Sequence, residues 1–370
     1  MVIHMKIAMI GHKDYPSRSG GVEVVVYELA SRLSRHGHDV TVYNRVHEKK
    51  EKSYDTAGVK AKYIYAPKKE GLNALIGSFT ATLSAIFGGY DIIHYHAIGP
   101  SVPIFIPHIL GKKTVATVHG LNWRCAKWGK LASMYLKFGE KMAAKFADEV
   151  VVLSEEMQKY FKDTYNRETT LIKNAVVPIK QTPCDKITKR FNLKKDDYIL
   201  FLARVTPEKG LQYLISAYKQ SKLDKKLVIA GDLPDSEYCH EIKAMSSDCE
   251  NIIFTGFADL DLVQELYSNC AVYVLPSETE GLALTLIEAM ACGARCITSD
   301  IPENTVVLKE FGKTFVSKDV NSLANALVEM VNEPFDAQKA SRQMEYIKND
   351  YSYDRFYREY LKLYKKVMGE

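Results

Sequence analysis

Apolar positions along the chain take two recurring forms, short unbroken runs and longer stretches in which they return every three or four residues. The first run, residues 6–11, ends at Gly11. A helical stretch follows at 22–36, with Val22, Val25, Val26, Leu29, Ala30 and Leu33 on one side, and stops at Gly37 before a second run at 39–43. That is strand, helix, strand. Further strands are predicted at 61–65, 91–95, 113–118, 149–153 and 169–172. After the polar, Lys-rich residues 178–197 the alternation starts again, with strands at 198–203, 227–230, 252–255, 271–275 and 295–298 and helices at 211–220, 236–247, 259–269 and 284–292. Alternation of this kind predicts an α/β fold made of two doubly wound, Rossmann-like domains, each a parallel sheet covered on both faces.

The last segment, 353–367, places Phe356, Tyr360, Leu363 and Tyr364 on one stripe and needs a surface to cover. The expected organisation is therefore residues 1–178 as a first domain, 179–350 as a second, and 351–370 as a helix crossing back to the first. Residues 71–90 carry no formal charge, a length that would cross a bilayer. Asn73, Ser78, Thr80, Thr82 and Ser84 interrupt them, and Leu72, Leu75, Ile76, Phe79, Leu83, Ile86 and Phe87 recur at helical spacing. A buried amphipathic helix is predicted there instead of a span.

With 46% hydrophobic residues, a chain of 370 can fill two cores. Seven scattered cysteines and no leader at the start argue against a disulfide framework, so a reducing cytoplasm is expected. Cys292 and Cys296 have no partner pair at ligand spacing and read as buried thiols. Charge is uneven. Residues 1–180 hold 26 Lys+Arg against 16 Asp+Glu, whereas 181–370 hold 24 against 29. The basic half suits an anionic partner or a merely solvated face. Nucleic acid is disfavoured, because the positive residues lack interleaved aromatics.

Three loops carry candidate chemistry. Gly20 and Gly21 directly precede a helix, where amides approach an anion closely or simply turn the chain. Their spacing is not the dinucleotide fingerprint, so no nicotinamide cofactor is supported. Arg204 and Lys209 follow the first strand of the second series; spacing alone leaves open whether they neutralise a diphosphate or pair with Glu208 or another acid. In the segment from Pro276 to Gly293, a helix starting near Ala283 would offer the amides of Ala283, Leu284 and Thr285 to a phosphate. Glu280 would stand in the loop before it and Glu288 one turn inside, either as acceptors for hydroxyls or as a dipole-complementing acid and an ordinary helix residue. Asp259 and Asp261 spell a possible metal motif but open a helix, where Asp is a favoured cap, and no metal is expected.

The Glu280-x7-Glu288 segment resembles the signature of retaining glycosyltransferases of family 4, which have the GT-B fold of two domains facing across a cleft. The likeness covers nearly the whole chain. Gly20-Gly21 resembles that family's first loop, Thr117-Val-His-Gly120 its active-site histidine segment, Val152-Leu-Ser-Glu-Glu156 and Lys173-Asn-Ala175 the end of its first domain, Arg204 with Lys209 its diphosphate clamp, and Tyr351-Ser-Tyr-Asp-Arg-Phe356 the start of its terminal helix. The resemblance implies transfer of a sugar from a nucleoside-diphosphate donor with retained configuration, no cofactor and no metal. It assigns donor-sugar hydroxyls to Glu280, the ribose to Glu288, the diphosphate to Arg204 and Lys209, the sugar near its reacting carbon to His119, and the region of the base to Phe257. Leu282 and Ala283 depart from the family's aromatic and glycine. The segments 11–23 and 119–129 are similar to bacterial capsular or cell-wall polysaccharide transferases, including rhamnosyltransferases, which implies a saccharide or lipid-diphosphate-linked acceptor at the inner membrane face. Basic residues at 49–69 and Lys130, Lys137, Lys141 and Lys145 beside Trp123 and Trp128 suit an anionic membrane; core packing suits the two tryptophans equally. Rival expectations are an epimerase or hydrolase on the same scaffold, or a noncatalytic nucleotide-sugar-binding protein.

Overall fold

The computed structural model describes residues 4–17, 20–46, 53–56, 58–68, 72–121, 123, 129–176 and 181–370. The chain divides into two compact units, Met1–Ala175 with Tyr353–Glu370, and Val176–Ser352. Arg18, Ser19, Lys49, Lys69, Cys125 and Trp128 lie outside the described residues.

The first unit runs β1 (Lys6–Ile10), α1 (Gly21–Arg35), β2 (Asp39–Val46), β3 (Ser53–Thr56), β4 (Val59–Tyr65), α2 (Leu72–Ile86), β5 (Ile92–His96), α3 (Phe105–Ile109), β6 (Lys113–Val118), α4 (Lys130–Phe146), β7 (Glu149–Val152), α5 (Glu155–Tyr165) and β8 (Thr170–Leu171). Its sheet has the order β3-β4-β2-β1-β5-β6-β7-β8. The central strand β5 is buried along its whole length, including His94 and His96. β3 is the exception: it pairs antiparallel with β4 at the sheet edge. Its sequence Ser-Tyr-Asp-Thr has no apolar run and so gave no strand signal.

The second unit runs α6 (Lys186–Phe191), β9 (Tyr198–Leu202), α7 (Leu211–Ser221), β10 (Lys226–Ala230), α8 (Glu237–Ser246), β11 (Ile252–Gly256), α9 (Leu260–Asn269), β12 (Val272–Leu275), α10 (Leu284–Ala291), β13 (Cys296–Ser299), α11 (Pro302–Leu308), β14 (Lys313–Phe315), α12 (Val320–Asn332) and α13 (Ala337–Asp350). All strands are parallel, in the order β11-β10-β9-β12-β13-β14. Ile199, Phe201, Leu227, Ile229, Val272 and Val274 meet Leu214, Ile215, Leu323 and Leu327 of α7 and α12 in the core. Burying each such side chain is worth about 1.5–3 kcal/mol. Cys292 and Cys296 are buried, and burial pushes both thiols up, as expected of inert core residues.

α2 turned out to be a helix, but not with the expected face inward. Gly77, Ser78, Ala81, Thr82, Ala85 and, of the expected stripe, Ile86 are buried; Leu75 and Phe79 are half-buried, and Leu72, Ile76, Leu83 and Phe87 are exposed. Small side chains let the helix lie close to the sheet. A Cβ on Gly77 would fall 2.8 Å from Cδ of Arg45, and the Thr82 and Tyr95 hydroxyls are hydrogen bonded at 2.9 Å. No helix among the described residues is long and apolar enough to cross a membrane.

The final helix, α14 (Tyr353–Met368), belongs to the first unit. Its buried stripe holds Phe356, Tyr360, Leu363 and Tyr364. Two of these carry hydroxyls into the sheet: Tyr364 meets Nδ1 of His94 at 2.7 Å, and Tyr360 meets Thr117 at 3.0 Å. Nε2 of His94 is 2.8 Å from the same Thr117 hydroxyl. A neutral imidazole has one donor and one acceptor, and two hydroxyls satisfy both. Burial holds His94 down to about 3 and His12 to about 4, against 6.5.

Because these folded pKa values are depressed, the unfolded chain binds more protons between pH 6.5 and about 4, and stability falls as pH falls through that window. Each imidazole contributes up to about 1.4 kcal/mol per pH unit. Urea midpoints are expected to drop steadily below pH 6.5, with a shallower slope in His94→Gln; a flat wild-type profile from pH 7 to pH 5 would contradict this.

Candidate functional site

In the second sheet, β9 and β12 are neighbours, yet the chain leaves β9 towards β10 on one side, while β12 continues to β13 on the other. The loops after these strands diverge at a topological switch point, where open α/β sheets bind ligands. Arg204 and Lys209 lie in the first loop, Glu280 in the second. Three contacts hold the loops together. Gly210 has φ +70°, and a Cβ there would lie 2.0 Å from the carbonyl oxygen of Pro276, so only glycine fits. The Glu278 amide donates to the Glu208 carbonyl at 2.9 Å. Lys209 Nζ meets Glu280 Oε1 at 2.5 Å, with the two side chains only 13% and 8% exposed.

The Glu280 oxygen also accepts from the Ser277 hydroxyl at 2.7 Å. Ser277 is held in turn, since its carbonyl accepts from Ser299 at 2.5 Å and the Ser299 hydroxyl accepts from Asn304 at 3.0 Å. An ammonium and a hydroxyl therefore share one oxygen of the carboxylate. Thus Lys209 pairs with an acid, as one sequence alternative had it, but with the candidate sugar-binding Glu280 and not with Glu208.

α10 starts beyond this loop. Ala283 is its N-cap without a side-chain cap bond, and its carbonyl accepts from Leu286 and Ile287. The amides of Leu284 and Thr285 have no acceptor among the described residues, the usual condition of a first helical turn. Tyr273 donates to the Thr285 hydroxyl at 2.9 Å, and Tyr267 to Glu288 at 3.3 Å. Arg204 is exposed, with no ion pair among the described residues. Phe257, 69% exposed, stands past the end of β11, two strands from β9 and apart from the Lys209–Glu280 pair. Asp259 caps α9 by accepting from the Leu262 amide at 2.9 Å, and Asp261 pairs with Lys186 at 2.6 Å.

The first sheet has its own switch point between β1 and β5. Gly11 ends β1 with φ +123°, and a Cβ there would lie 2.1 Å from the His96 carbonyl oxygen. His96 Nδ1 is 3.2 Å from Nε2 of His119, which follows β6. Burial lowers His119 to about 4, so it is a neutral imidazole at physiological pH, a hydrogen-bonding group and not a cation. Nε2 of His96 and Nδ1 of His12 are buried without a partner among the described residues. Gly20 is the extended N-cap of α1, and a Cβ there would meet the Glu23 carboxylate at 2.4 Å; Gly21 is the first helical residue. Glu23 accepts from the Lys13 amide at 3.2 Å, so a protein carboxylate already stands at this helix start. Trp123, half-buried, donates its indole N–H to buried Glu140 at 2.8 Å, and Lys137 Nζ lies 4.2 Å from the centre of its ring.

Ser277 and His96 were not singled out in the sequence. Ser277 lay inside the Pro276–Gly293 segment and only the fold shows its bond to Glu280; His96 carried no signal beyond its position at a strand end.

Residues 19–178 match the family model of Glycosyltransferase Family 4 and residues 185–350 that of Glycosyl transferases group 1. The uncharacterized glycosyltransferase MJ1607 of Methanocaldococcus jannaschii is 25% identical, over 98% of this chain and 99% of its own. The O-antigen chain mannosyltransferase C of Escherichia coli is 24% identical, over 92% and 91%. An Escherichia coli UDP-Gal:alpha-D-GlcNAc-diphosphoundecaprenol alpha-1,3-galactosyltransferase is 28% identical, over 66% and 67%. Among solved structures, sucrose-phosphate synthase of Thermosynechococcus elongatus superposes with a TM-score of 0.85 at 20% identity, covering 99% of this chain and 100% of that one. Anabaena HepE in complex with UDP and glucose gives 0.79 at 18%, covering 98% and 100%. The fold is GT-B, relatives act in polysaccharide synthesis, and the chain belongs to the group 1 glycosyltransferases.

Proposed function

We propose that this glycosyltransferase moves a hexosyl unit from a UDP-, dTDP- or GDP-linked donor to a saccharide or lipid-diphosphate-linked acceptor in cell-surface polysaccharide synthesis, with retention of configuration and without a metal. The observation that carries the reading is the Lys209–Glu280 pair, which puts a cation and a hydroxyl-accepting carboxylate side by side at the switch point of the second sheet. Support comes from HepE, whose structure holds UDP and glucose, and from the galactosyltransferase relative, whose name states a diphosphoundecaprenol acceptor. The site of action in this reading is the cytoplasmic face of the plasma membrane.

The roles follow from charge and reach. Arg204, Lys209 and the free amides at Ala283, Leu284 and Thr285 stabilise the charge that develops on the departing nucleoside diphosphate. Glu280 accepts from sugar hydroxyls, Glu288 from the ribose, and Phe257 lies beside the base. His119, neutral, hydrogen bonds the sugar near its reacting carbon, and Gly20 and Gly21 bind donor through backbone amides. The bond from the anomeric carbon to the phosphate oxygen breaks while the acceptor oxygen bonds on the same face, and a donor phosphate oxygen takes the acceptor proton.

With a panel of nucleotide sugars and product mass spectrometry, Glu280→Gln is expected to lower kcat by about 100-fold or more, since the hydroxyls it holds are gripped most tightly as the bond breaks. Wild-type turnover in that variant would contradict the assignment. Arg204→Ala is expected to raise donor Kd about tenfold in calorimetry; unchanged affinity would remove Arg204 from the site. Lys209→Ala strands the Glu280 carboxylate, so thermal unfolding is expected to report a loss of about 3 kcal/mol as well as weaker donor binding.

A further inference from the structure

Three polar side chains with no part in the proposed reaction, Ser277, Ser299 and Asn304, are wholly buried next to the Glu280 loop. They form one directed series. Asn304 Nδ2 donates to the Ser299 hydroxyl at 3.0 Å, Ser299 donates to the Ser277 carbonyl at 2.5 Å, and the Ser277 hydroxyl donates to Oε1 of Glu280 at 2.7 Å. The single Ser299 proton is spent on a carbonyl, which can only accept, so the group facing that hydroxyl has to be a donor, and Asn304 turns its NH2 to it. The Asn304 Oδ1 is then buried without a partner among the described residues. For stability this is a poor arrangement, because a buried amide oxygen without a donor costs more than an apolar side chain of the same shape. Nor does Asn304 cap α11, whose N-cap is Ile301. What its amide does hold is the end of β13 against the loop after β12, with Ser277 fixed beneath Glu280.

The partners of Glu280 give this hold its use. Oε1 has two, Lys209 and Ser277, and Oε2 has none among the described residues. A diphosphate that draws the Lys209 ammonium to itself leaves Ser277 as the one protein group on the carboxylate, just when sugar hydroxyls have to find it. The outer side of the loop is tied separately, since Glu278 accepts from the Tyr213 hydroxyl at 2.8 Å and pairs with Lys318 at 2.7 Å. The backbone therefore stays in place, and the aim of the carboxylate depends on Ser277. We propose that Asn304 is a positioning residue for sugar transfer, acting through Ser299 and Ser277 to keep the Glu280 carboxylate on the donor sugar once Lys209 has turned to the diphosphate. This rests on the reading of Glu280 as the acceptor for sugar hydroxyls. The effect falls on the donor-bound chain, where the ion pair no longer helps to hold the carboxylate, and so on kcat more than on donor affinity.

Two variants of the full chain test it. Asn304→Leu has much the same shape without the donor, and Ser299→Ala removes the middle hydroxyl at smaller structural cost, which keeps the test open where the leucine chain does not fold. Transfer is measured with the active member of a panel of UDP-, dTDP- and GDP-hexoses, and kcat is taken per donor site titrated by calorimetry, so that unfolded molecules do not count. Each variant is expected to lower kcat about tenfold with donor Kd within about twofold of wild type, because Arg204 and Lys209 are untouched. A merely structural role would reduce the number of titratable sites and leave kcat per site unchanged, and that result would overturn the proposal. In a Glu280→Ala chain, Asn304→Leu is expected to cost nothing further, since the group it positions is gone; a full tenfold loss there would equally overturn it. Glu280→Ala turning over at the wild-type rate would remove Glu280 from the reaction and the positioning role with it. A slow Glu280→Ala beside unchanged Asn304→Leu and Ser299→Ala would overturn the positioning role alone.

Discussion

One ion pair, Lys209 with Glu280, joins two loops that begin on neighbouring strands and then leave the sheet in opposite directions. A nearly buried ammonium and carboxylate are costly to desolvate, and they persist because each has the other, with Ser277 taking a further position on the carboxylate. Gly210 against the Pro276 carbonyl brings the backbones close enough for the pair to form. In the proposed reaction the same two groups change partners. A diphosphate competes for the ammonium, and the oxygen released from Lys209 becomes available to sugar hydroxyls. Such an exchange keeps both charges satisfied before and after donor binding.

The first unit is organised around neutral groups instead. His94, His96 and His119 form a line of imidazoles at the ends of β5 and β6, tied by Thr117, Tyr360 and Tyr364 to the last helix of the chain. Burial strips them of charge, so this region contributes hydrogen bonds with little field. The excess of positive charge in residues 1–180 lies elsewhere, part of it on the outer line of α4.

Much of the architecture was legible because parallel strands buried on both faces must be apolar along their length. β9 and β12 are such runs. β3 was not legible, since an edge strand of polar residues has no pattern to read, and β14 is only three residues long. On α2 two uncharged stripes compete, one large and one small, and hydrophobicity alone chose the large one. Closeness of helix to sheet decided for Gly77, Ala81 and Ala85. At the site, the spacing of Glu280 and Glu288 is local and could be read. The contact of Lys209 with Glu280 crosses 71 positions and depends on β9 lying beside β12, which no local pattern contains.

The most direct measurement is a crystal structure of the chain with a non-hydrolysable nucleotide sugar. The account requires Lys209 to have left Glu280 for a diphosphate oxygen, with the Glu280 carboxylate on hydroxyls of the sugar. Density for the ligand away from β9 and β12, or a bound donor with the Lys209–Glu280 pair intact, would contradict it.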